Sequence, residues 1–176
     1  MKRNLQKSSV FSVAMCAMMS ALAIIIMAIG AILEIADLAS AMFASLLIWF
    51  IQIEFSASYA VLSFAVSSLL SFLFLPSILP AFYFTLLYGW YPPMKYLLDT
   101  KIKKKRICFI VKTFIAAIAA IAEEILARNF LGYSQTLAIT LTYIVVTLLL
   151  YVVYDILLSR LAVIYKVKWR KHIFRH

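Results

Sequence analysis

Long apolar stretches dominate this chain, and short polar or charged breaks separate them. The first stretch covers residues 10–33 and ends at an acidic break with Glu34 and Asp37. The next covers residues 41–75 and is interrupted only by scattered polar side chains. Because about 20 apolar residues cross a bilayer as a helix, the first stretch predicts one span, whereas the second is too long for one.

The second half of the chain predicts three more helices. A tight turn bounded by Pro76 and Pro80 precedes an apolar segment at 80–98. Pro92-Pro93 lies near the end of this segment, and two residues without backbone donors predict a break or bend there. Trp90, Tyr91 and Tyr96 around the break suit an interfacial aromatic belt. Two further apolar segments follow, at 107–127 and 135–160.

The basic residues decide how many spans the 41–75 region contains. All but Arg128 fall into three clusters, at the N-terminus (residues 2–7), around a central loop (residues 95–112) and at the start of and within the C-terminal tail (residues 160–175). Loops rich in Lys and Arg stay in the cytoplasm, which requires an even number of spans. Residues 41–75 therefore contain two short spans, and the chain is predicted as one six-span domain with both termini inside: 10–33, 39–54, 57–75, 80–98, 107–127 and 135–160, followed by a basic tail at 161–176.

Composition supports a membrane protein. The chain is 66% hydrophobic and 14% charged with a mean hydropathy of +1.02, whereas soluble proteins are about 45–50% apolar and about 25% charged. The predicted fold is therefore an all-α integral membrane bundle with lipid as its main partner. The net charge of +10 borders the spans and faces anionic headgroups, so no nucleic-acid partner is expected. Cys16 and Cys108 are expected to be free buried thiols.

The ionisable residues within or beside the spans form two sets in this topology. Charged groups at membrane depth are costly and usually pair, face the protein interior or serve function. The outer set consists of Glu34, Asp37, Glu123, Glu124 and Arg128. The inner set consists of Glu54, Lys95, Asp99, Asp155 and Arg160.

The outer set is the candidate substrate site. Glu124 and Arg128 lie four residues apart, share one helix face and are expected to form an ion pair. The remaining carboxylates, Glu34, Asp37 and Glu123, favour a cationic or amine-bearing small molecule, with Tyr83 and Thr140 among the neutral hydrogen-bonding groups. A solvated loop is the alternative interpretation of Glu34 and Asp37.

The inner set is interpreted as structural, with an ion pair between Glu54 and Lys95 near the headgroups. Ala14, Ala17 and Ala21 lie on one face of the first span, where small residues allow another membrane helix to approach closely. That helix belongs either to this protein or to a separate subunit. The only histidines lie in the tail, and the sequence predicts no catalytic residue, no metal site and no cofactor.

Two resemblances extend this interpretation. Ile53-Glu54-Phe55 and Gly89-Trp90-Tyr91-Pro92-Pro93-Met94-Lys95 resemble the I-E-Y-G and G-Y-Y-P-x-x-K segments of a family of small, uncharacterised membrane proteins of Gram-positive bacteria. The whole chain is similar in architecture to substrate-binding S components of energy-coupling factor transporters, in which an A-x-x-x-A seam, matched here by Ala17 and Ala21, contacts a transmembrane coupling subunit. This resemblance implies a bacterial cytoplasmic membrane, a vitamin-like substrate bound in the outer half, and ATPase partners.

A third resemblance is confined to six residues. Glu123-Glu124-Ile125-Leu126-Ala127-Arg128 matches the E-E-x-x-x-R motif of intramembrane prenyl-endopeptidases, whose glutamates act with histidines on later helices. Here no histidine follows before the tail, so the resemblance implies at most a degenerate member. The leading hypothesis is a substrate-binding membrane subunit without enzymatic activity, and the alternative is a non-transporting scaffold or regulatory protein.

The predicted topology is testable with reporter fusions. A fluorescent protein fused after His176 is expected to fluoresce, and alkaline phosphatase fused after Asp37 is expected to be active, because the first reporter works inside the cell and the second works outside. Each reporter at the other position serves as the control. Phosphatase activity at the C-terminus would contradict an even number of spans.

Overall fold

A computed structural model of the chain is helical throughout the part that it describes, residues 9–33, 36–102, 104–131 and 137–165. The helices are α1 Ser9–Leu33, α2 Asp37–Glu54, α3 Ala57–Phe74, α4 Leu79–Tyr83, a π-helical turn Phe84–Tyr88, α5 Tyr91–Lys101, α6 Lys105–Leu131 and α7 Leu137–Ile164. The predicted all-α fold class is confirmed.

Within the described ranges, four helices are long and apolar enough to cross a membrane: Val10–Leu33 of α1, all of α2 and α3, and Thr140–Ile164 of α7. Their exteriors fit such a setting. On α3 the exposed side chains include Leu62, Leu69 and Leu73, whereas the buried ones are small: Ala60, Ser63, Ser67, Ser68 and Ser71. An apolar exterior around a small-residue interior is compatible with a membrane protein, in which lipid covers the apolar face.

Helix α6 is long enough to cross a membrane but more polar than these four. It has 27 residues and contains Lys112, Glu123 and Glu124 within its otherwise apolar middle. It includes the segment predicted as the fifth span. Whether its charges are satisfied by the protein therefore decides whether it suits an apolar environment.

The chain divides into two compact units, Met1–Tyr96 and Leu97–His176. In the first unit, α1 packs against α2 and α3, and α2 also contacts α4 and the π-helical turn. At Gly30 of α1, an added Cβ would overlap the side chain of Ser40 of α2. The absence of a side chain at Gly30 is therefore what allows the two helices to come this close.

The predicted break near Pro92-Pro93 is present, and it lies just before the two prolines. Helix α5 begins at Tyr91, which places both prolines in its first turn, where backbone donors have no partner within the helix. The backbone N–H of Gly89 closes the preceding π-helical turn by donating to the carbonyl of Phe84 at 2.7 Å. The side chain of Tyr91 is fully buried and that of Tyr96 is exposed, and the interfacial position of these aromatic residues stays a prediction.

The second unit is built on α6 and α7. Three pairs of contacts fix the direction of these helices: Lys112 with Asp155, Glu123 with Tyr143, and Glu124 with Thr140. As the residue number rises along α6, the number of the partner on α7 falls. The two helices are therefore antiparallel.

Each unit contains one cysteine. Cys16 lies on α1 and Cys108 on α6, and both are free thiols with buried side chains. The prediction of free buried thiols is therefore confirmed.

Candidate functional site

One polar cluster lies where the C-terminal part of α6 faces the N-terminal part of α7. Arg128 Nε donates a hydrogen bond to Glu124 Oε1 at 3.0 Å, so the predicted ion pair is present. The Arg128 guanidinium also donates to the hydroxyl of Thr140. That hydroxyl in turn donates to Glu124 Oε1 at 3.1 Å. The charge of Glu124 is thus neutralised locally, although Arg128 itself is exposed.

Glu123 is placed differently from its neighbour. Its side chain is only 2% exposed, and its Oε2 accepts a hydrogen bond from the Tyr143 hydroxyl at 2.8 Å. In the part of the chain that the structure describes, Glu123 forms no ion pair. A buried carboxylate whose partner is a neutral hydroxyl retains most of its desolvation cost. A bound cation or a proton would offset that cost.

The predicted substrate-binding residues fall into both units. Glu123, Glu124 and Arg128 form one cluster with Thr140 and Tyr143 in the second unit. Asp37 is buried at the start of α2 and Tyr83 is half-buried at the end of α4, both in the first unit. Glu34 lies outside the described residues. The participation of Glu34, Asp37 and Tyr83 in the same site stays a prediction.

A second cluster lies near the opposite end of the α6–α7 pair, and we call it the lysine cluster: Asp99, Cys108, Lys112 and Asp155. Lys112 is buried, and its Nζ lies 2.5 Å from Asp99 Oδ1 and 3.6 Å from Asp155 Oδ1. The Cys108 thiol donates to the same oxygen of Asp99 at 3.3 Å. Two carboxylates thus share one ammonium group, which leaves the cluster with a formal charge of −1.

The lysine cluster borders a cleft of about 450 Å³. Ile102, Phe109 and Ser159 complete its lining. A cleft of this volume is large enough for a small molecule or a lipid headgroup. The sequence analysis assigned Asp99 and Asp155 to the inner structural set and missed the role of Lys112 between them. The sequence did contain an indication of this role. Lys112 lies inside the predicted span 107–127, where an ammonium group requires charged or polar partners.

The remaining predicted residues lie in the first unit. Glu54 is half-buried at the end of α2, while Lys95 of α5 is buried with its Nζ 6.0 Å from the centroid of the Tyr91 ring. The Glu54–Lys95 ion pair stays a prediction. Ala14, Ala17 and Ala21 are all exposed. The side of α1 that faces inward is formed instead by Ser12, Cys16, Ser20, Ala23 and Met27.

Comparison of the chain with protein families, with curated proteins and with solved structures finds no match. Its function is therefore argued from its own residues.

The lysine cluster predicts a specific pattern of stability changes. Replacing Lys112 by Met leaves Asp99 and Asp155 without their shared cation. We expect the free energy of unfolding to fall by about 3 kcal/mol, the lower end of the cost of breaking a buried ion pair, because Asp99 is partly exposed. The measurement is thermal unfolding in detergent. The double substitution Lys112→Met with Asp155→Asn is expected to recover part of the loss. Lys101→Met, at an exposed position, is the matched control, and an equal loss there would contradict the prediction.

Proposed function

We propose that this protein is a multi-pass protein of a bacterial cytoplasmic membrane, with six spans, that binds a small cationic or amine-bearing molecule at Glu123. In this role it is the substrate-binding subunit of a transporter and resembles S components of energy-coupling factor systems. The observation that carries the proposal is the buried Glu123 carboxylate, whose partner in the part of the chain that the structure describes is the neutral hydroxyl of Tyr143.

The neighbours of Glu123 support a cationic ligand over an anionic one. Glu124 and Arg128 neutralise each other, so Glu123 contributes the excess charge of the cluster. The hydroxyl of Tyr143 fixes one carboxylate oxygen, Oε2, which leaves Oε1 to accept a hydrogen bond from an ammonium group. A charge-assisted bond of this kind is stronger than one between neutral groups.

The outward alanine face of α1 supports assembly with a second membrane protein. Ala14, Ala17 and Ala21 are exposed, and small residues on one helix face allow another backbone to approach. The opposite side of α1 packs against the interior of the first unit. The exposed alanine face is therefore the side of α1 that a transmembrane coupling subunit would contact. That subunit would in turn connect this protein to ATPases.

A second candidate function is a scaffold or regulatory protein that holds a cytoplasmic partner. It is favoured by exposed basic side chains around the predicted central loop and at the end of α7: Lys101, Lys104, Arg106 and Arg160. In that case the region of Glu54 and Lys95 forms the partner site. Substitutions of Glu54 or Lys95 would then abolish partner binding, and substitutions of Glu123 would not.

Ligand binding is testable with purified protein and a panel of cationic probes, namely thiamine, choline and spermidine. We expect at least one probe to raise the unfolding temperature, and Glu123→Gln to weaken its affinity about thirtyfold, because removing one charge of a buried ion pair costs at least about 2 kcal/mol. Glu124→Gln is the matched control at the adjacent position and should bind nearly as well as the unmodified protein. Equal losses in both variants would contradict the assignment of Glu123.

Assembly is testable by co-purification of the tagged protein from its native membrane. We expect an ATPase and a second membrane subunit to co-purify, and Ala17→Leu with Ala21→Leu to remove them, because two bulky side chains keep the partner helix at a distance. Ala65→Leu makes the same change at an exposed position of α3 and should leave the complex intact. Retention of the partners by the α1 variant would exclude this face as the interface.

A further inference from the structure

Helix α7 carries polar side chains at regular intervals between the two clusters. Tyr143, Thr147, Tyr151 and Asp155 follow one another every four residues, which places them along one ridge that winds slowly around the helix. Tyr143 contacts Glu123 at one end, and Asp155 contacts Lys112 at the other. Thr147 and Tyr151 therefore lie between the two clusters along α7.

The side of α6 that faces the middle of this row is formed by small residues. Because the helices are antiparallel and join residue 123 to 143 and 112 to 155, Ala120 and Ala116 fall opposite Thr147 and Tyr151. Both alanines are buried, with at most 2% of their surface exposed. Alanine offers no polar side-chain atom, so these two positions give the Thr147 hydroxyl no partner, and buried water commonly binds such a group.

Thr147 gives the most direct evidence for a bound water molecule between α6 and α7. Its side chain is 3% exposed, and its Oγ1 has no hydrogen-bond partner in the described part of the chain. A threonine in a membrane helix normally satisfies its hydroxyl with a backbone carbonyl or a neighbour. Leaving a buried hydroxyl unsatisfied is costly, and a bound water molecule would offset this cost.

The row and the clusters at its two ends together have the length of a path through the membrane. Successive members lie four residues apart, or about 6 Å along the helix axis, and water molecules bridge polar groups that are too far apart for a direct hydrogen bond. From Tyr143 to Asp155 the row rises about 18 Å, and from Thr140 in one cluster to Ser159 beside the other the rise is about 28 Å. The hydrocarbon core of a bilayer is about 30 Å thick.

We propose that the row from Glu123 through Tyr143, Thr147 and Tyr151 to Asp155 conducts protons across the membrane. A proton enters on the Glu123 carboxylate. Each hydroxyl or water oxygen along the row accepts one proton and releases its own hydrogen to the next oxygen, so these groups are unchanged afterwards. The proton then reaches the carboxylate of Asp155, which lies beside Lys112 and, through Lys112, is connected to Asp99. It leaves the protein through the cleft that the lysine cluster borders.

The charged and titratable groups around Glu123 and around Asp155 allow each carboxylate to take up and release a proton. At Glu123 the facing groups are Tyr143 and the mutually neutralised Glu124 and Arg128, so no described cation holds the carboxylate permanently ionised. At the other end Lys112 faces two carboxylates. Protonation of one of them leaves an ion pair with the other, so the charge of the cluster alternates between −1 and 0.

Proton flux through purified full-length protein in liposomes tests this proposal. The vesicles contain potassium and the pH dye pyranine, and valinomycin supplies the electrical driving force. We expect flux above that of protein-free vesicles, and Thr147→Val to reduce it about tenfold, the factor that one lost hydrogen-bonded step is worth. Thr147→Ser keeps the hydroxyl and should retain the flux.

Two controls make the result decisive. Thr142→Val makes the same change at an exposed position of the same helix and should conduct like the unmodified protein. Size-exclusion chromatography checks that each variant is folded, and Glu123→Gln provides the same test if Thr147→Val is not monodisperse. Flux equal to that of empty vesicles, or unchanged flux in both Thr147→Val and Glu123→Gln, would overturn the proposal. Amine binding and partner assembly are measured separately, so their failure would leave this result standing.

Discussion

The charge of Lys112 has to be satisfied inside the protein, and the second unit is organised around that requirement. An ammonium group in an apolar helix costs several kcal/mol unless carboxylates surround it. Asp155 of α7 and Asp99 near the end of α5 supply them, so one side chain connects three helices. The same principle acts at the other end, where Arg128, Thr140 and Glu124 satisfy one another across α6 and α7. Electrostatic pairing at both ends therefore fixes the register of the helix pair.

The first unit depends on small side chains. Gly30 and Ser40 set the approach of α1 to α2, and the serines of α3 form its buried face. Close backbone approach gains van der Waals contact, which is the main source of helix association where lipid already satisfies apolar side chains. Small side chains thus hold these helices together, whereas the two polar clusters described above join α6 to α7 in the second unit.

The sequence predicted the helices well because their signals are local. Apolar runs of span length, prolines and acidic or basic breaks each act within a few residues, and α1, α2 and α3 begin and end close to the predicted positions. The Glu124–Arg128 pair was also accessible, since it lies within one helix turn. Partners on different helices were not accessible in this way. Asp99 lies 13 residues from Lys112, and Tyr143 lies 20 residues from Glu123, so only the three-dimensional arrangement of α5, α6 and α7 identifies them.

The two cysteines give the chain a built-in pair of reporters. Cys16 and Cys108 are buried in different units, and neither forms a disulfide. A buried thiol such as Cys16 reacts with a labelling reagent only when the surrounding structure opens, whereas Cys108 also borders the cleft of the lysine cluster. The rate of modification at Cys16 therefore measures the local opening of the first unit. The rate at Cys108 measures how readily a small molecule enters the cleft of the second.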